Sequence, residues 1–129
     1  MEKDIVKDNF TFLNANEYSP LVLAYMGDAV YELYIRSKLV AKANMQVNKL
    51  HKEATSFVKA KAQAELIRSI MDKLTEEEIS VYKRGRNAHS YTSAKNADIV
   101  DYRCATGFEA LIGYLYITGR MERIYELLN

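Results

Sequence analysis

The sequence predicts an all-α protein. Three observations lead there. Only one Pro and five Gly occur among 129 residues, so little interrupts long helices. Apolar residues recur at helical spacing in several segments, and period-two alternation of β-branched residues is nowhere sustained. A chain of this length is expected to be one domain, 1–129, burying about two-thirds of its unfolded surface. Its hydrophobic content of 49% and charged content of 27% exclude a disordered chain.

The elements follow in order. Residues up to Phe12 form a mixed-charge lead-in. Ser19-Pro20 is a helix start, with Ser as N-cap and Pro where its missing N–H is harmless, and the helix should run to about residue 37. After a connection over 41–44, a second helix is expected over 46–71. Val47, Leu50, Ala54, Phe57, Ala64, Ile67 and Met71 give it one apolar side, and Lys49, Lys52, Lys59, Lys61 and Arg68 mark the other. Thr75-Glu76-Glu77-Glu78 reads as a capping box, opening a helix to about residue 84 or 85. The polar stretch 86–96 reads as a loop or an interrupted helix. A helix resumes near Ile99 and runs through Glu109 to Ile117, Thr118-Gly119 ends it, and 121–128 forms a short last helix.

Several function classes drop out. The single Cys104 allows no internal disulfide and no Cys-based zinc site, and fits a reducing, cytoplasmic setting. Met1-Glu2-Lys3-Asp4 leads into no long apolar stretch, so no secretory signal is expected. Asp28 and Glu32 interrupt the best candidate for the roughly 18 apolar residues that a membrane span needs.

Charge is unevenly placed although the net value is only +1. No Asp or Glu lies between Ile79 and Ala97, where Lys83, Arg84, Arg86, His89 and Lys95 alternate with Tyr82 and Tyr91. Such a stretch is either a footprint for a polyanion or a merely solvated basic face. Asn87, His89, Ser90 and Thr92 favour the footprint, being short donors and acceptors suited to phosphate or 2′-hydroxyl groups. The basic side of the second helix is weaker evidence, since Glu53 and Glu65 interrupt it.

Two acids stand out. Asp28 lies in the apolar run Leu21 to Tyr31, and Glu109 in the apolar run Phe108 to Ile117, so both helices are expected to pass through the interior. A buried carboxylate neutralises, finds a partner or binds a metal. Each acid alone could be explained by an Arg partner, a backbone cap or a helix dipole. Together, flanked by Gly27 and Gly107, they suggest convergence on a cation. Glu32, one turn after Asp28, could add a ligand or pair with Arg36. Oxygen-only ligation selects a hard ion such as Mg²⁺. His51 and His89 are too isolated to argue for a softer metal. Tyr25, Tyr31, Tyr34, Tyr114 and Tyr116 read as core and interface packing. Carboxylates beside a basic, Asn- and Ser-rich segment point to phosphodiester hydrolysis.

These residues also carry a family resemblance. Leu23-Ala24-Tyr25-Met26-Gly27-Asp28-Ala29-Val30 resembles the signature of the ribonuclease III catalytic domain, and Glu109-Ala110-Leu111-Ile112-Gly113 resembles its second signature. With Tyr31-Glu32-Leu33-Tyr34 and Arg84-Gly85-Arg86-Asn87-Ala88, the likeness extends over nearly the full length. It is closest in character to the short Mini-ribonuclease III branch, with no room expected for a C-terminal double-stranded-RNA-binding domain. The resemblance implies a helical homodimer in which Asp28 and Glu109 are the catalytic and Mg²⁺-binding residues of each centre. Duplex RNA would lie across both centres and be cut to 5′-phosphate and 3′-hydroxyl ends. Lys83, Arg84, Arg86, Asn87, His89 and Lys95 would supply the grip. The implied substrate is precursor ribosomal RNA of the large subunit (23S), with room for an assisting ribosomal protein. Two acids of the longer enzymes are replaced by Ala24 and Thr106, which leaves Asp98 and Asp101 as further candidate ligands. That departure supports one alternative, a catalytically inactive RNA-binding or ribosome-associated module; a second alternative is a helical structural protein whose acids bridge an interface without metal.

Overall fold

Ser19 accepts a hydrogen bond from the Val22 N–H at 3.2 Å and Pro20 occupies the first turn, so α1 (Pro20–Lys42) begins where the sequence places its start. The computed structural model describes residues 2–88 and 98–129. The remaining elements are α2 (Val47–Val58), α3 (Ala60–Ile70), α4 (Glu76–Asn87), α5 (Ile99–Ile117) and α6 (Met121–Leu128), with single 3₁₀ turns at Ala15–Glu17 and Met71–Lys73. Among the described residues there is no strand, and the all-α expectation holds.

α5 is the central rod. Phe108, Ala110, Leu111, Ile112 and Leu115 are wholly buried, because α1, α3 and α4 all pack around it. Each large apolar side chain so enclosed contributes about 1.5–3 kcal/mol. Tyr31 of α1 meets Phe108 edge to face, with ring centroids 5.0 Å apart. The capping box of α4 forms in full: Glu78 N–H donates to Thr75 Oγ1, and Thr75 N–H donates to Glu78 Oε1. Glu78 is buried and is neutralised by Arg123 of α6, 2.8 Å away, which fixes the last helix against the start of α4.

Four expectations are corrected. α1 extends to Lys42, past residue 37. The expected single helix over 46–71 is two helices, broken at Lys59, whose ψ of 154° is extended. α2 packs on α1 and α3 on α5, and one straight rod could not reach both. α4 continues through Arg86 and Asn87 instead of ending at residue 85. There a glycine stays helical because its bare Cα seats on α5: a Cβ on Gly85 would lie 2.7 Å from Ala110 Cβ and 3.0 Å from Gly107 Cα. Finally, α1 does not run through the interior. Tyr25 is 79% exposed and Leu33 67%, so one apolar side of α1 faces outward.

Candidate nuclease site

The site is set by a helix crossing without side chains between the backbones. At Gly27 of α1 and Gly113 of α5 the two chains touch. A Cβ on Gly27 would collide with the Glu109 carbonyl oxygen and sit 2.8 Å from the Gly113 nitrogen. A Cβ on Gly113 would collide with the Leu23 carbonyl oxygen. Asp28 follows the first glycine, and Glu109 lies one turn before the second. The crossing therefore brings both acids to one point.

Glu109 is half-buried and Asp28 is exposed, so the expectation of two interior acids holds for only one of them. Burial pushes the Glu109 carboxyl up to about 8. The Asp28 carboxylate, within hydrogen-bonding reach, adds to that rise, and a hydrogen bond from Gln63 opposes it. Gln63 Nε2 donates to Glu109 Oε2 at 3.3 Å. Two carboxyl groups in contact, one resisting ionisation, are relieved by a divalent cation between them, so the donor set fits a hard ion. Among the described residues no group of three or more His, Cys, Asp or Glu side chains is placed to hold a metal. The chain would supply two carboxylates, leaving other positions to water and substrate phosphate.

The remaining acids are used otherwise. Glu32 pairs with Arg36 at 2.9 Å, the second of the two roles open to it. Asp101 pairs with Arg68 at 2.9 Å. Asp98 is exposed at the start of α5 and caps nothing with its side chain. Of the tyrosines, Tyr31 and Tyr114 are buried core and Tyr34 and Tyr116 are half-buried, whereas Tyr25 stands free of the core.

Gly85, seated on Ala110 and Gly107, packs the end of α4, which carries Lys83, Arg84, Arg86 and Asn87, against the Gly107–Ala110 turn of α5. Lys83, Arg84 and Asn87 line an open depression of about 560 Å³ together with Pro20, Glu76, Ile79 and Ser80; neither Asp28 nor Glu109 lines it. Arg86 turns away and lies over the Tyr82 ring, 5.7 Å from its centroid. His89 and Lys95, with Ser90, Tyr91 and Thr92, lie outside the described residues. Gln63 was missed in the sequence. It sits on the buried stripe three residues after Ala60 and four before Ile67, and a polar residue there was the available signal.

Residues 21–120, which contain both acids and the whole crossing, match the Ribonuclease III domain model. The chain belongs to the ribonuclease III family. Its members are RNA endonucleases. The Mini-ribonuclease 3 of Clostridium tetani is 54% identical over 130 residues, covering 100% of this chain and 86% of that protein. That of Brevibacillus brevis is 57% identical over 114 residues, covering 88% and 85%. A crystal structure of a Fusobacterium nucleatum protein superposes with a TM-score of 0.83 at 31% identity, covering 92% of this chain and 96% of that one. Within the ribonuclease III framework, the two positions where the resemblance implies further acids in longer enzymes are Ala24 and the half-buried Thr106. Ala24 is buried, and the Thr106 hydroxyl donates to the Tyr102 carbonyl at 3.0 Å. No described helix is long and apolar enough to cross a membrane.

Proposed function

We propose that the protein is a Mg²⁺-dependent, double-strand-specific endoribonuclease leaving 5′-phosphate ends, whose substrate is precursor 23S ribosomal RNA. The observation that carries the reading is the contact between Asp28 and Glu109 at the Gly27–Gly113 crossing, in a chain of this family. Asp28 and Glu109 would hold the ion. A bound Mg²⁺ lowers the pKa of water and offsets charge developing on the phosphate. The protein's own part is to fix two carboxylates against rigid helices and to place the phosphate backbone over them. Lys83, Arg84 and Asn87 are set to engage that backbone, and duplex RNA offers them phosphates and 2′-hydroxyls across a shallow minor groove. With Arg86, and with His89 and Lys95 beyond the described residues, they form the proposed RNA grip.

A homodimer is part of this proposal. Leu21, Val22, Tyr25 and Leu33 expose an apolar side of α1 that flanks Asp28, and a groove of about 440 Å³ continues it through Met26 to Met121 and Tyr125 of α6. A contiguous apolar face of this kind is what a second copy would cover. It would place two centres on one surface, each addressing one strand. The free Cys104 and the absence of a spanning helix among the described residues fit a cytoplasmic enzyme.

The decisive test is incubation of purified protein with a labelled RNA duplex, with Mg²⁺ or with EDTA. Discrete cleavage with Mg²⁺ and none with EDTA is expected. Duplex binding without metal-dependent cutting would leave a binding module instead. Arg84→Ala should weaken RNA binding evenly across duplex sequences. It should also flatten the plot of log affinity against log salt by about one, the loss of one phosphate contact, with kcat little altered. An unchanged salt slope would remove Arg84 from the interface.

A further inference from the structure

Among the described residues only Gln63 and Glu78 are polar or charged side chains that are fully buried. Arg123 and Thr75 account for Glu78. Gln63 is 2% exposed and is not fully satisfied. Burying an amide without satisfying all of it is unfavourable, and Gln63 Oε1 is buried with no hydrogen-bond partner among the described residues. An apolar residue would pack there more cheaply.

The amide's two N–H groups explain the choice. One donates to the Val58 carbonyl at 2.7 Å, the acceptor set free where the chain breaks between α2 and α3. The other donates to Glu109 Oε2 at 3.3 Å. The orientation is not arbitrary. Exchanging N and O would press the amide oxygen against the Val58 carbonyl, which can only accept, so the present sense is the stable one. We propose that Gln63 is a positioning residue for Glu109, its amide tying the carboxylate to the α2–α3 break so that it stays beside Asp28. The inference rests on the metal-dependent reading of that pair given above. It also assigns a purpose to the break at Lys59, which frees the carbonyl that anchors the amide from behind.

The test uses Mn²⁺ as probe, with free Mn²⁺ read by electron paramagnetic resonance in the absence of RNA, on wild type, Asp28→Asn, Gln63→Met and Gln63→Leu. Wild type should bind Mn²⁺ and Asp28→Asn should lose it. The Gln63 variants should bind about ten- to a hundredfold more weakly, the range seen when a group supporting a ligand is removed. In cleavage assays with Mg²⁺ their kcat should fall by a similar factor while KM for duplex RNA stays within about twofold. If wild type and Asp28→Asn behave as expected but both Gln63 variants bind and cut like wild type, the positioning role alone is wrong. A wild type that holds no Mn²⁺ would overturn the parent reading and this one together. Should neither Gln63 variant fold, wild type still decides by nuclear magnetic resonance. The Gln63 side-chain amide signals should move on adding Mg²⁺, and signals that stay fixed while Glu109 responds would overturn the proposal.

Discussion

Asp28→Asn and Glu109→Gln are each expected to lower kcat on duplex RNA by about a thousandfold or more, equivalent to about 4 kcal/mol of transition-state stabilisation. The size follows from the donor set. With two carboxylates and no third acid placed to help among the described residues, removing either leaves one ligand for the ion. RNA binding measured by mobility shift without metal should stay within about threefold, because Lys83 and Arg84 are untouched. Single-turnover cleavage of a labelled duplex checks the first value. Near-normal rates in both variants would refute the catalytic assignment.

The same variants carry a stability signature of defined sign. Burial, and then the neighbouring Asp28 charge, raise the Glu109 carboxyl from 4.5 to about 8 in the folded protein. The native state therefore holds that proton more tightly than the unfolded chain does. Metal-free stability should fall as pH rises from about 4.5 to about 8, by on the order of 3–5 kcal/mol in all. Above that range the penalty is complete. Glu109→Gln removes the group that titrates, so its unfolding temperature should lack this decline and exceed wild type near pH 8. Mg²⁺ should raise the wild-type value at that pH by binding the folded state alone. Parallel thermal melts of wild type and Glu109→Gln across this range would show whether the slope belongs to Glu109.

How far the site was legible depends on what kind of signal each residue sent. Asp28 and Glu109 were conspicuous because ionisable groups inside apolar runs are costly. Thr75 and Glu78 were legible because a capping box is local chemistry, complete within four residues. The break at Lys59 sent no local signal, since neither Gly nor Pro is near it. It arises because α2 must cover α1 while α3 covers α5. Asn87 lies in a helix for the same kind of reason, Gly85 being held by its seat against Ala110. The exposure of Asp28 was misread because apolar composition marks a face that avoids water without saying what covers it. Tyr25 and Leu33 of α1 show the ambiguity: they are apolar like Leu23 and Ile35, yet they face away from the core. Gln63 sent only a weak signal, a polar residue on the buried side of its helix, and the carbonyl and carboxylate that it meets give that signal its meaning.

Gly27→Ala should unfold the protein more readily than any other single methyl added at its glycines. The added Cβ points at backbone, the Glu109 carbonyl carbon lying 2.6 Å from it and the Gly113 nitrogen 2.8 Å, and backbone on a central helix cannot rotate aside. Gly107 is a milder case of the same kind: there a Cβ would meet the Tyr82 ring and the Tyr82 carbonyl oxygen, each at 2.7 Å, without the direct collision found at Gly27. At Gly119 nothing lies within 4 Å, and only a φ of 76° resists substitution. Gly119→Ala should therefore cost about 1 kcal/mol and leave cleavage intact. Gly27→Ala should cost about 3 kcal/mol or more, beyond the usual range for overpacking, and lower the unfolding temperature by roughly 10 °C. What folds should cut poorly, because α1 can only accommodate the methyl by lifting away from α5 and carrying Asp28 from Glu109. Gly113→Ala attacks the same crossing from the other side, its Cβ directed at the Leu23 carbonyl. Once one methyl has separated the helices, the second meets less resistance, so the double variant should lose clearly less stability than the sum of the two. Additive losses in thermal unfolding would mean that the two glycines serve separate contacts, and that the crossing is not what brings the acids together.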